Sequence, residues 1–423
     1  MLSQLLPENY PTLVTTVAEF RKNFGTEPYQ FESDQPYPQC VVPPTISSTE
    51  EKMYKEGEYD KSYIMANEYL RRGLCVMYYN VVTRTKDGIK EDSASPMTSD
   101  NTHLGGMFAL QIYDELEKKI DEEDEDEQGV LAMLTDRNMF SVKYITSGGY
   151  PTFELDQEYQ DVCYNMVELA KTRGDCVAII DHFNNPLRKL TGTDSVYDTL
   201  KTTYSSLESE FAAMFTPWAT YSTTSGTISM PGSYAYMTAL ATAIQSYPNY
   251  LAVAGTSRGQ LPTLIDINSI YAITNKIAND YQPRDDVAIN PITLITPYGY
   301  TIWGNRTLFD NAQGNLTARS FLNIRNMVSD IKKQAYVVAK RLMFEQDSDV
   351  LWLRFKMGIT PLLDSMKTGN GLSDYRVIRT TTKYDGTPLN KGEIAAVIRI
   401  FPKYAIEDWE ITVVISDEEV TVE

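Results

Sequence analysis

The residues Gly255-Thr256-Ser257-Arg258-Gly259 fit the G-x-S-x-G spacing of a hydrolase nucleophile elbow, where a serine on a sharp strand-to-helix turn offers its hydroxyl to an acyl carbon. The stretch LAVA before it has the apolar texture of the required strand. A helix must then begin right after the serine, and Pro262 with the β-branched residues beyond it makes a weak start. The triad histidine comes last in that fold, whereas His103 and His182, the two histidines of the chain, both precede Ser257. Ser257 therefore reads as a loop residue, and an α/β serine hydrolase is the rival function from another class. Asp181 and His182 close the run CVAIID and follow it, at the strand end where open α/β sheets place catalytic groups. With no second ligand or nucleophile near them in sequence, they read as structural. Cys40, Cys75, Cys163 and Cys176 form no C-x-x-C pair and have no histidine at zinc-ligand spacing, which makes them reduced, mostly buried thiols. No Walker loop and no G-x-G-x-x-G is present. The expectation is a protein with no catalytic residue, no cofactor and no metal.

Composition bounds the partners. A chain of 423 residues makes two or three domains. With 38 Lys+Arg against 57 Asp+Glu the formal charge is -19, which repels nucleic acid and anionic membranes except where cations cluster. No apolar run reaches the roughly 18 residues of a membrane span, and MLSQLLPENYP lacks the basic flank and apolar core of a secretory signal. Cytoplasmic synthesis without membrane insertion is expected. The 29 Tyr against 14 Phe favour extensive contact surface, because tyrosine can face either water or a partner.

Helices and buried strands alternate through residues 1–264, which predicts an α/β part. TLVT (12–15) feeds a helix that Gly25 ends, and a Pro-rich polar loop follows over about 26–60. A helix over about Ser62–Arg72 leads into a buried strand, Leu74–Val82. A second loop region, about 86–128, holds the acidic run Asp121–Glu127, which is either solvated or a cation site. A helix over Tyr159–Thr172, the strand CVAIID, a helix over 197–215, a strand FTPWATY and a helix in GSYAYMTALATAIQSYP complete this part.

Residues 265–423 read as a compact α+β unit. Between Arg319 and Arg341 the residues Phe321, Ile324, Val328, Ile331, Ala335 and Val338, with Leu342 just beyond, recur at steps of three and four and share one helical face. Arg325, Lys332, Lys333 and Lys340 fall within about a third of the circumference beside that stripe. This basic flank is either a solvated face or a docking surface for a negatively charged partner. A second helix runs to the Gly369 and Gly371 break, then strands at Tyr375–Thr382, Ile394–Phe401 and Trp409–Ile415. In the last, Trp409, Ile411, Val413 and Ile415 alternate with Glu410, Thr412 and Val414, and a charged bend leads to Val420, Thr421 and Val422. An unpaired strand edge invites other chains, so this strand needs a partner.

The stretch INPITLITPYGYTIWGNRTL (289–308) and the residues after it resemble the C-terminal half of contractile tail sheath proteins of bacteriophages and related injection machines. WGNRTL, NIRNMVSDIKKQ and FEQDSDVLW carry the match, and GEIAAVIRIFPKYAIEDWEITVVI is similar to that family's closing hairpin. TLVTTVAEFRKNFG, ANEYLRRGLCVMYYNVV, GDCVAIIDHF and FTPWATY match its first half more loosely. The resemblance implies a multi-domain sheath fold of α/β and α+β parts ending in an exchanged strand. It implies a structural subunit that forms hexameric discs, stacks them helically around a tail tube and contracts. Trp409, Ile411, Val413, Ile415, Val420 and Val422 would then pair with a neighbouring subunit, and Arg325, Lys332, Lys333 and Lys340 would face the tube. Implied partners are further copies of the chain, the tube protein, and baseplate and neck or terminator proteins, in a virion tail, with no direct contact to nucleic acid. A non-contractile baseplate or collar component of the same fold is the alternative. The family's opening arm, with its Pro-Gly-x-Tyr-like strand, has little room before Thr12. A reduced arm, an arm outside the quoted chain and a different protein completing the mesh all stay open.

Overall fold

The computed structural model describes residues 12–24, 61–78, 84–85, 88–89, 134–146, 156–182, 198, 200–201, 204, 207–267, 281–284, 286–309, 316–383 and 386–407. In chain order the main elements are β1 (Thr12–Val14), α1 (Val17–Phe24), α2 (Lys61–Arg71), β2 (Val76–Tyr78), β3 (Tyr144–Ile145), α3 (Asp156–Arg173) and β4 (Val177–Ile180). They continue with β5 (Ala212–Thr216), β6 (Ala219–Thr223), β7 (Gly226–Met230), α4 (Gly232–Ala243), β8 (Leu264–Asp266), β9 (Asn290–Ile295) and β10 (Gly299–Ile302). The C-terminal unit holds α5 (Leu322–Arg341), α6 (Asp349–Thr368), β11 (Leu372–Thr380) and β12 (Ala395–Pro402).

A five-stranded sheet of order β10-β9-β5-β4-β3 organises the α/β body. Strands β3, β4, β5 and β9 run parallel, and β10 returns antiparallel to β9. Every residue of β4 and β5 is buried, because both faces of a parallel sheet are covered. Val177, Ile179, Ala213 and Phe215 pack on one side with Tyr234, Tyr236 and Leu240 of α4. Ala178, Ile180, Ala212 and Met214 pack on the other with Cys163, Met166, Val167 and Ala170 of α3. Strands from both sides of residue 264 thus share one sheet. A smaller antiparallel sheet, β8-β6-β7, lies beside it, and β1 pairs with β2.

Two readings of the sequence are corrected here. Residues 197–215 are not one helix: AAMFT is a buried strand, and among the described residues of that stretch α-helical backbone lies at 198, 200 and 201, with a 3-10 position at 207. A five-residue apolar run has no period long enough to separate helix from strand. Likewise FTPWATY is a junction, since Pro217 lies between β5 and β6, which belong to different sheets. The strand expected over Leu74–Val82 is described at Val76–Tyr78, and 79–83 lie outside the described residues.

Close approach of α4 to β5 depends on Gly232. A Cβ there would stand 2.0 Å from the Phe215 carbonyl oxygen and 2.6 Å from its carbon, and backbone cannot give way as a side-chain tip can. Gly232→Ala is expected to cost about 3 kcal/mol, at the upper end of overpacking penalties. Urea denaturation checks this; an unchanged midpoint would mean that α4 is not seated against β5 in solution.

A third core joins the long helices to the last hairpin. Ile324, Met327 and Ile331 of α5 meet Ile359, Leu363 and Met366 of α6, with Phe321, Tyr250 and Leu372, while Tyr375, Val377, Ile398 and Ile400 close it from the β11–β12 sheet. Helix α5 follows the expected stripe in its second half, whereas residues 321–327 are buried on every side.

Candidate assembly interface

The groups with catalytic spacing are spent on structure. Ser257 sits in a single helical turn, Gly255–Arg258, and residues 251–254 before it are not a strand, so the elbow's scaffold is absent. Arg258 holds the turn through Nε to the Ala252 carbonyl at 2.7 Å. His103 lies outside the described residues. Asp181 accepts from the Ser233 amide at 2.8 Å and from its hydroxyl at 2.6 Å, satisfying amide donors at the start of α4. His182 Nε2 is 2.9 Å from Thr216 Oγ1, and its carbonyl accepts from Trp218 Nε1 at 2.8 Å. Both residues are buried, and together they tie the end of β4 to the β5–β6 junction and to α4. Cys163 and Cys176 are buried and Cys75 exposed, none of them in a disulfide; burial pushes the Cys176 thiol up to about 11. Cys40 and the acidic run 121–127 lie outside the described residues.

The basic flank of α5 faces anions that belong to this chain. Arg325 is 6% exposed, donates to Glu210 at 3.2 Å and stacks its guanidinium over Phe211 at 4.5 Å. Lys333 donates to the Val142 carbonyl and lies 3.9 Å from Asp175, which is itself held by the buried Arg173. Lys332 reaches over Gly174, where a Cβ would stand 2.8 Å from its ammonium. Burial lowers the pKa values of Arg325 and Lys333, and partial desolvation lowers that of Lys332, whose side chain is otherwise exposed. On the same helix Asp330 takes Lys143 and the Asn249 amide, and Asn326 bonds the Tyr236 hydroxyl. Three of the four expected cations therefore lie along the seam between α5 and the α/β body. Lys340, two turns further on, is exposed, with its ammonium 5.8 Å from the Tyr336 ring centre.

WGNRTL is the polar joint between the two parts. Asn290 brackets residue 306, its Oδ1 accepting from the Arg306 amide at 2.7 Å and its Nδ2 donating to the Arg306 carbonyl at 2.8 Å. Asn305 and Asn323 pair side chain to side chain at 2.7 Å, which fixes the first turn of α5. So oriented, Arg306 is 2% exposed, lies 4.6 Å over the Phe321 ring, and grips Glu407 with both Nε and Nη2. Tyr404 meets Phe321 edge-on at 5.2 Å. The chain leaving β12 is thus drawn back to the α/β body. Glu407 is the last described residue, so Trp409, Ile411, Val413, Ile415, Val420 and Val422 lie outside the described residues. Sequence reasoning missed this clamp, although it had singled out both WGNRTL and the closing segment.

Among the described residues, β11 and β12 form a two-stranded sheet covered on one face by the helices, with its outer edges unpaired. Beside it, Met343, Phe344, Val350, Leu353 and Met357 are exposed apolar residues around the α5–α6 turn. No helix of the described residues is long and apolar enough to cross a membrane.

No protein-family model matches the sequence. The chain is 25% identical over 159 residues to the tail sheath protein of Vibrio phage KVP40, a match covering 37% of this chain and 22% of that protein. It is 25% identical over 157 residues to the tail sheath protein of Enterobacteria phage T4, with the same shares covered. The matched segment spans about a fifth of the length of these curated relatives. Among solved structures, the PVC sheath complex of an extracellular contractile injection system in its contracted state matches with a TM-score of 0.59 at 16% identity, covering 99% of this chain and 89% of that one. The anti-feeding prophage baseplate in its contracted state matches with a TM-score of 0.51 at 15% identity, covering 77% and 79%. The expected multi-domain fold is borne out, and so is the resemblance drawn from WGNRTL and its neighbours.

Proposed function

We propose that this chain is a subunit of a contractile tail sheath, which polymerises helically around a tail tube and contracts to drive that tube through a host envelope. One observation carries the reading: a fold likeness to a contracted sheath that extends over 99% of the chain. The described residues support it in two ways. Their catalytic-looking groups are committed to packing. The β11–β12 sheet has open edges of the kind that strand addition uses.

In this reading the C-terminal unit of α5, α6, β11 and β12 supplies the lattice contacts, and Trp409, Ile411, Val413, Ile415, Val420 and Val422 complete the sheet of another copy. The subunit assembles into hexameric discs, meets baseplate and neck proteins at the ends of the stack, and is made and assembled in a bacterial cytoplasm before residing in a virion tail. It consumes no cofactor. Contraction draws on two packings of the same subunits that differ in stability. A difference of about 1 kcal/mol per subunit, near the net worth of one hydrogen bond, sums over a lattice to a large driving force.

Because Arg325, Lys332 and Lys333 lie along the seam within the subunit, the tube contact falls to the far end of α5, where Lys340 lies near exposed Tyr336 and Val337. Lys340→Glu is expected to reduce co-sedimentation with tube protein about threefold without changing thermal stability, the size of a rim-charge effect. Unchanged co-sedimentation would remove α5 from the tube interface. Negative-stain microscopy of the purified chain tests the function itself. Hollow striated tubes of variable length are expected; short rings of fixed size indicate a baseplate or collar component, and unassembled monomers under all conditions overturn the reading.

A further inference from the structure

The cations along the seam of α5 outnumber the carboxylates that meet them. Glu210 is shared between Arg325 at 3.2 Å and Arg319 at 3.8 Å, and Asp175 between Arg173 at 3.0 Å and Lys333 at 3.9 Å. Arg137 spends its hydrogen bond on the Thr172 carbonyl, at 2.9 Å. Lys332 has no carboxylate within ion-pair distance among the described residues. Desolvation and the repulsion of Arg325 and Arg137 lower its pKa, against a smaller attraction from Glu210 and Asp175. On a chain of net charge -19 this is a local excess of the opposite sign, and it is partly withdrawn from water.

The excess is sharpest at Arg325, which is 6% exposed. Its Nη1 donates to Glu210, while Nε and Nη2 are buried with no partner among the described residues. Those two N–H groups form the fork with which an arginine grips two oxygens of one oxyanion. Arg306 turns the same fork, Nε with Nη2, on Glu407; in Arg325 it is open. A buried charged donor without an acceptor is costly, so the fork points to a ligand. Ser329 Oγ is likewise buried and unpartnered among the described residues. Arg325, Ser329 and Lys332 stand at i, i+4 and i+7, one row down α5. Phe211 and Gly174 make the facing wall. The Arg325 guanidinium lies 4.5 Å from the Phe211 ring centre, and a Cβ on Gly174 would stand 4.0 Å from that ring and 2.8 Å from the Lys332 ammonium. Guanidinium and ammonium thus converge beside one ring, with a hydroxyl between them in the row.

We infer that the row Arg325, Ser329 and Lys332, walled by Phe211 and Gly174, binds a small inorganic oxyanion of the phosphate or sulfate kind. The Arg325 fork holds two of its oxygens, the Ser329 hydroxyl donates to it, and Lys332 neutralises it from the solvent side. Water could satisfy the same donors but would leave the excess charge in place, and a spherical halide would use the fork less well than paired oxygens do. A free ion is favoured over the side chain of another protein because the fork lies inside one subunit, between α5 and the α/β body. Once neutralised, the seam fixes α5 on that body. The inference concerns the single subunit and does not depend on its assembling into a sheath.

Equilibrium dialysis of the full chain against radiolabelled inorganic phosphate, at fixed ionic strength, tests the site. Saturable uptake of about one phosphate per chain, displaced by sulfate, is expected from a single site of this donor set. Lys332→Gln changes an exposed side chain that no described residue bonds, so the fold stays in place while phosphate affinity falls about tenfold, the worth of one charge-assisted hydrogen bond. Ser329→Ala should weaken binding about threefold, and Lys332→Arg, which keeps the charge, should stay within about threefold of the natural chain. Thermal unfolding gives a second readout, because a ligand of the folded state raises the midpoint of the natural chain more than that of Lys332→Gln. Phosphate also stabilises proteins generally, by exclusion from their surfaces, and that effect is the same in both. Equal rises with no saturable uptake overturn the site and leave the buried donors to water. Saturable uptake that neither Lys332→Gln nor Ser329→Ala weakens places the ion elsewhere and overturns it equally.

Discussion

Chain ending at Glu407 is expected to fold as well as the full chain and to lose polymerisation. Among the described residues, the three cores of the α/β body and the C-terminal unit, and the smaller α1–α2 core, are built from side chains no later in the chain than Ile400. The truncated protein should therefore keep its far-UV spectrum and its midpoint in urea. What it loses lies between subunits. A strand addition of some four backbone hydrogen bonds, each worth about 1 kcal/mol net, contributes about 4 kcal/mol per junction. That is about a thousandfold in association constant. Every subunit of a lattice repeats the loss, so the effect on polymer yield is far larger than on any single contact. Sedimentation velocity and negative-stain microscopy read the outcome directly. Tubes of normal length from the truncated chain would mean that the lattice is held by other surfaces, the exposed apolar residues around the α5–α6 turn being the next to examine.

How much of this was legible beforehand depended on whether the determining partner was near in sequence. Helix α5 was legible because seven apolar positions at steps of three and four leave few alternatives, and α6, β11 and β12 followed from a helical run, two glycines and two β-rich segments. The stretch AAMFT was not, since its burial on both faces of a parallel sheet erases the alternation that marks a strand. The charged residues show the same division more sharply. Arg325, Lys332 and Lys333 were found as a face, but their neighbours Glu210, Asp175 and Gly174 arrive from loops more than a hundred positions earlier, with no local signal. A cluster of cations on a helix reports that an anion is wanted; only the fold says whose. Asp181 and His182 show the converse, where two residues with catalytic associations sit at a catalytic address and are used as a cap and a tether.

Glu407→Ala should be the most destabilising single change within the last described turn, by about 3 kcal/mol. Arg306 is almost fully buried, its backbone is locked by Asn290, and Glu407 is the carboxylate gripping its guanidinium, with one further nitrogen, Nη1, lacking a partner among the described residues. Removing one member of a buried pair strands the other charge, which typically costs about 3–5 kcal/mol. The lower end applies because the Glu407 side chain keeps 27% of its exposure, so water screens part of the interaction. The stacked Phe321 ring offsets a further fraction, a cation over an aromatic face being worth about 1–2 kcal/mol when desolvated. Combining Glu407→Ala with Arg306→Met should recover most of the loss, because the buried charge is gone and the Asn290 bonds involve only the backbone of residue 306. Urea denaturation of the two variants separates an ion pair from mere packing. If Glu407→Ala matches the natural chain within about 0.5 kcal/mol, water already solvates Arg306 and the clamp does not hold. If the single variant is destabilised and the double variant is not, the departure point of the closing segment is set by one ion pair. A subunit lattice that repacks around lent strands then has a fixed root for each of them.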